Sequence, residues 1–138
     1  MKILNYKSVL SLLFLSVMLC LNSCSEIKQQ QLVEEANKLN ATLPMVTDGI
    51  RIDKCVVEPG LTLKYTATIL GVKAKDLDFR MLASQSFLDQ SKREIVTMLK
   101  DSSDFEEIRE LGVTIIYSYF DIRGNHLFDV RITSNDYN

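Results

Sequence analysis

Apolar residues along this chain follow three patterns: one dense run, several stretches spaced for helices, and several that alternate as strands do. The run covers Val9 to Leu21. Beyond it, Leu32, Ala36, Leu39 and Leu43 recur at helical spacing among Glu34, Glu35, Asn37, Lys38 and Asn40, and Pro44 ends the stretch. This predicts an amphipathic helix of about three turns, with its stripe either packed on a sheet or free to bind a partner. Ile50–Glu58 and Leu61–Leu70 flank Pro59-Gly60, where proline presets one turn angle and glycine accepts a positive φ, so the two segments predict a hairpin. In the second arm Leu61, Leu63, Tyr65, Ala67 and Ile69 alternate with Thr62, Lys64, Thr66 and Thr68. Such alternation implies one buried sheet face and one wet one.

Asp76–Lys100 reads as the longest helix, with Leu77, Met81, Leu88, Ile95 and Leu99 on one stripe and a bend expected near Ser84–Ser86. A shorter helix follows, with Ser103 and Glu106 as a capping box, Phe105, Ile108 and Leu111 as its stripe, and Gly112 as its stop. Val113–Ile122 is apolar on both sides, as a central strand is. After a turn at Arg123-Gly124-Asn125-His126, Leu127–Thr133 returns as a strand, and polar Ser134–Asn138 is expected to be a loose tail. The predicted fold is α+β in the order α-β-β-α-α-β-β. Two hairpins would form a four-stranded antiparallel sheet with the helices packed on one face.

The apolar run changes the picture from fold to address. Lys2 and Lys7 precede it, it spans about 13 residues where a bilayer span needs ~20, and it stops at Leu21-Asn22-Ser23-Cys24. Those last four residues resemble the lipobox of bacterial lipoproteins. The resemblance implies a signal peptide at residues 1–23 and a diacylated Cys24, followed by a tether at 24–31, a single domain at 32–133 and a tail at 134–138. Ser25 then favours the outer membrane over the inner. Removing the signal leaves 14 basic against 18 acidic residues, a side-chain balance of −4 with no basic block. Nucleic acid is therefore not an expected partner. Cys20 leaves with the signal and Cys24 is acylated, so Cys55 has no disulfide partner and stability must come from packing.

Catalytic chemistry finds little support. His126 is the single histidine and falls in a turn, which disfavours a multi-histidine zinc site or a Ser-His-Asp triad. Alternation puts Cys55 on one strand face with Arg51, Asp53 and Val57, and a structural thiol is the simpler reading than a nucleophile. Asp76 with Asp78, and Glu106, Glu107 and Glu110, lie where helix starts favour acidic residues. No phosphate loop, metal-spaced cysteine cluster or dinucleotide fingerprint occurs, so no cofactor, no metal and no enzymatic activity are expected. Tyr65, Tyr117 and Tyr119 are either core residues or a platform for a sugar or a protein.

Leu43-Pro44-Met45, Arg51-Ile52-Asp53, Pro59-Gly60 before Leu63-Lys64-Tyr65-Thr66, and Leu111-Gly112-Val113 before Tyr117-Ser118-Tyr119 and Asp121–Gly124 together resemble a recurring pattern in small exported bacterial proteins. The resemblance covers Leu43 to Val130 and implies a compact α+β domain without catalytic residues. Arg51 and Asp53 are its polar positions that no turn explains, and they suit a salt-bridged strand pair or a binding site. The expected function is that of a non-enzymatic, lipid-anchored envelope protein that binds another envelope protein as accessory subunit or inhibitor. A binder of a small solute or glycan through an exposed aromatic sheet face is the alternative. The candidate binding residues are Arg51, Asp53, Lys64, Tyr117 and Tyr119, with Cys24 for lipid attachment; oligomeric state is left open.

Overall fold

The computed structural model describes residues 24–71 and 84–138, beginning with helix α1 at residues 24–40. The expected tether at 24–31 is thus helical. It lacks an apolar period because a polar residue fastens it: the Gln29 amide donates to Glu58 O and accepts from Leu61 N, each at 3.2 Å. Further along α1, Leu32 and Ala36 enter the core and Leu39 packs against it. Asn40 ends the helix by gripping one strand residue, donating to Cys55 O at 2.7 Å and accepting from Cys55 N at 2.8 Å.

The sheet has five strands, β1 (Met45–Thr47), β2 (Ile50–Glu58), β3 (Thr62–Ile69), β4 (Thr114–Phe120) and β5 (His126–Ile132), in that spatial order. The expected four-stranded antiparallel sheet is therefore corrected in two respects. First, β1 adds a short antiparallel edge to β2 through the turn Asp48-Gly49, whose residues have φ of 47° and 77°. Positive φ at both central residues belongs to a two-residue hairpin, and the Asp-Gly dipeptide was its sequence signal. Second, β3 and β4 run parallel, with Thr62 opposite Thr114 and Tyr65 opposite Tyr117. A parallel pair needs a crossover. Here the connection includes helix α2 (Gln85–Asp101), a 3-10 turn (Ser103–Phe105) and helix α3 (Glu106–Leu111).

The start of the long expected helix, 76–83, lies outside the described residues. Ser84 caps α2, accepting from Phe87 N, instead of bending a longer helix. The cap before the short helix sits one residue earlier than expected, at Ser102, which accepts from Asp104 N at 3.2 Å. Gly112 closes α3 in the left-handed region as expected, with φ 70°. Arg109 joins the two helices by donating to Leu99 O and Ser102 O. No helix among the described residues is long and apolar enough to cross a membrane.

The expected loose tail is also corrected. Ser134–Tyr137 form a last helical turn, α4, with Thr133 and Asp136 as its capping box. Tyr137 is buried and its hydroxyl donates to Val113 O at 2.5 Å, so an aromatic anchor overrides the polar composition around it. Lys92 of α2 meets Asp136 at 2.8 Å. The hydrogen bond from Lys92, then that from the Thr133 backbone, bring the Asp136 carboxyl down to about 2 against a smaller opposing effect of burial. A folded-state value below the unfolded one contributes stability above the unfolded pKa and loses it as pH falls. Asp136→Asn should therefore be less stable than wild type at pH 6, with the gap closing between pH of about 4 and about 2. Urea unfolding at successive pH values would show this; a gap constant with pH would contradict it.

Candidate functional site

The two sheet faces are sorted by register. On one, Cys55, Tyr65, Tyr117 and Val130 stand in a row across four strands, beside the row Val57, Leu63, Ile115 and Ile132. Leu32 and Ala36 of α1, Leu99 of α2, Ile108 of α3 and Tyr137 of α4 join this face in one core cluster. All helices thus contribute to a single covered face. On the other face the rows are Val56, Lys64, Ile116 and Arg131, then Lys54, Thr66, Ser118 and Asp129.

Tyr117 and Tyr119 lie on the covered face, each 8% exposed. They form an aromatic ladder: Tyr65 stacks on Tyr117 at 4.7 Å, Tyr117 on Tyr119 at 6.3 Å, and Tyr119 on Phe128 at 4.8 Å, with Phe87 of α2 edge-on to Phe128. Burial holds the Tyr65 and Tyr117 hydroxyls far above their ordinary titration range. The exposed aromatic platform expected for a glycan is corrected accordingly, because the parallel β3–β4 register directs these rings under the helices. Cys55 shares that interior. Burial pushes its thiol up to about 11, only partly offset by a hydrogen bond with Tyr65, so it is a structural thiol.

Arg51, Asp53 and Lys64, the other sequence-identified residues, lie on the open face, Lys64 apart from the other two, and the bulge in β2 separates Arg51 and Asp53 from the face of Cys55 that alternation had assigned them. Asp53 sits where β2 bulges against β3, between Ile52 and Lys54. Its carboxylate accepts from Thr68 Oγ1 at 2.6 Å and from Arg51 Nε at 2.5 Å. Burial alone would raise this carboxyl, but those two bonds and the guanidinium charge outweigh it and leave it below the ordinary value. The pair therefore secures the bulge, with Arg51 still 43% exposed. Lys64 faces Glu58 at 3.5 Å. His126 meets Asp129 at 2.9 Å, and bonds from His126 and Ser118 with the nearby cations hold Asp129 low against burial.

Sequence reasoning missed what gives this face its character. Ile116 and Phe120 of β4 are half-buried on it and Val56 of β2 is exposed, with Lys64 of β3 between Val56 and Ile116, so apolar and charged side chains alternate across the face. The signal was the apolar character of both sides of Val113–Ile122, which marked a central strand, as β4 is between β3 and β5, without telling which side stays open. Lys54 and Arg131, both exposed, stand in the same rows without an ion-pair partner among the described residues. A face of separated apolar residues among charges of both signs has the mixed character of a non-obligate protein interface. The described residues contain no cluster of three or more His, Cys, Asp or Glu able to hold a metal.

No protein-family model matches the sequence, and no curated protein matches it. Several solved structures share the fold. A presumptive secreted protein from Pseudomonas aeruginosa superposes with a TM-score of 0.65 at 13% identity, over 83% of this chain and 96% of that one. The type II secretion system pilotin AspS from Vibrio cholerae gives 0.61 at 15% identity, over 84% and 97%. The pilotin EpsS from the Vibrio vulnificus type 2 secretion system gives 0.54 at 16%, over 82% and 97%. At these identities the likeness establishes a common fold.

Proposed function

We propose that this protein is a non-enzymatic accessory component of the bacterial cell envelope, anchored by lipid on Cys24, whose open sheet face binds another envelope protein. The observation that carries the reading is the fold shared with two secretion-system pilotins, themselves parts of an export machine, over more than four-fifths of this chain. The disposition of surfaces supports it. The stripe of α1 is spent on the domain's own core, which leaves the open sheet face, with Val56, Lys54, Lys64, Thr66 and Ile116, as the surface for a partner. Ser25 after the lipid-bearing cysteine favours the outer membrane. A permanent anchor lets a modest interface suffice, because it confines the domain near membrane partners.

The test is crosslinking in living cells from photoreactive residues placed at Lys64 and Thr66, alongside a Cys24→Ala form. The expected result is one dominant heterologous protein adduct, with the Cys24→Ala form folded and shifted to the soluble fraction. A folded, abundant protein that captures no protein from either position would overturn the adaptor reading. Continued membrane association of Cys24→Ala would overturn the anchor.

A further inference from the structure

The two edges of the sheet are treated differently. On the β1 side the edge strand has three residues, and beyond it Asn40 occupies the backbone of Cys55 while Gln29 takes Glu58 O. Short strands, bulges and side-chain caps of this kind prevent edge pairing. On the other side β5 presents seven residues, and none of its backbone groups has a hydrogen bond outside the β4 ladder among the described residues. A row of unpaired N–H and C=O groups is a template for another strand.

The side chains of β5 say which strand. Phe128, Val130 and Ile132 point to the covered face, while Asp129 and Arg131 lie on the open one, both exposed. We propose that β5 pairs antiparallel with β5 of a second copy, about a two-fold axis through Val130, joining two five-stranded sheets into one. This register places Asp129 of each copy opposite Arg131 of the other, and Phe128 opposite Ile132. Moving the axis to Asp129 sets carboxylate against carboxylate. Moving it to Arg131 sets guanidinium against guanidinium, and directly opposed like charges destabilise a pair. An axis perpendicular to the sheet also keeps both helical layers on the same side, so each covered face continues into its neighbour. The edge alone is smaller than the interface a stable soluble dimer requires. A lipid anchor on each copy would supply the missing effective concentration. The pairing rests on the lipid anchor of the proposed function, but it takes only Asp129 and Arg131 from the open face and leaves Lys54, Lys64 and Thr66 for a different protein.

Disulfide trapping in the full-length, membrane-attached protein tests the register. Opposed residues of an antiparallel pair have Cα atoms about 4.5–5.5 Å apart, within reach of a disulfide, whereas diagonal neighbours stand at about 7–8 Å. Asp129→Cys and Arg131→Cys chains, co-expressed and mildly oxidised, should give a covalent dimer in about tenfold greater yield than either variant alone. Val46→Cys on the opposite edge should give none. Should the cysteine substitutions weaken the interface, the charge exchange Asp129→Arg with Arg131→Asp in one chain restores complementarity, and sedimentation in detergent should return the dimer that each single change removes. Equal yields from mixed and single chains, trapping from Val46→Cys, or absence of the dimer from both trapping and sedimentation would overturn the proposal. So would an adduct formed only with an unrelated protein.

Discussion

Tyr117→Ala should destabilise the domain by about 3–5 kcal/mol, the range for removing a large buried aromatic. The ring is 8% exposed and lies between Tyr65, at 4.7 Å and 10° between planes, and Tyr119, at 6.3 Å. Its removal opens a cavity in the parallel β3–β4 pair and ends two stacking contacts together, each about 0.5–1.5 kcal/mol beyond area burial. A domain of this size has about 5–15 kcal/mol in all. The melting temperature should therefore fall by about 12–25 °C. Tyr117→Phe keeps the ring and should cost within about 1 kcal/mol. Thermal unfolding followed by circular dichroism distinguishes the two; similar small losses from both would mean the ladder is not the centre of the core. Because Ser118 and Ile116 occupy the same strand, partner capture from Lys64 and Thr66 should disappear wherever the Tyr117→Ala domain is unfolded.

Leu32→Ala should cost about 2–5 kcal/mol, and its effect should be concentrated in α1. Leu32 is fully buried while Val33 beside it is 41% exposed, so this one residue supplies much of the helix's grip on the sheet. Without it the helix is held by Ala36, Leu39 and the polar contacts of Gln29 and Asn40, which are in partial competition with water. Hydrogen exchange should show protection lost first across residues 29–40, with β3 and β4 less affected. Uniform loss across the domain would show that α1 and the sheet open as one unit. The functional consequence concerns the anchor. Cys24 stands in the first turn of a helix fastened to the sheet, so a lipid there would hold the domain through a stiff element instead of a slack one. Loosening α1 should widen the range of positions the open face reaches above the membrane.

The mixed α+β class, the position of Gly112 as a stop and the sidedness of β3 were legible in the sequence. Each is written in local periodicity and turn chemistry, which depend on residues two to four positions apart. The expected address rests on the same kind of local reading, since a charged start, an apolar run and a cysteine are read in linear order. The tail was misjudged because one buried aromatic, Tyr137, outweighs four polar neighbours, and composition averages over that difference.

Strand neighbours were beyond such reading. Alternation assigns residues to a face and is identical for a strand paired parallel or antiparallel, so nothing in Val113–Ile122 says that it lies alongside β3. The long helical connection decided it by bringing Thr114 back to Leu61, where Thr114 N donates to Leu61 O at 2.9 Å. That single long-range choice placed Tyr117 against Tyr65 inside the core, withdrew the tyrosines as a binding surface and left Ile116, Lys64 and Arg131 facing outward together. The sequence by itself determined which residues share a face in a regular element such as β3, because that follows the element's own period; the tertiary structure decided which elements meet and where β2 bulges, because those are settled by contacts between residues far apart in the chain.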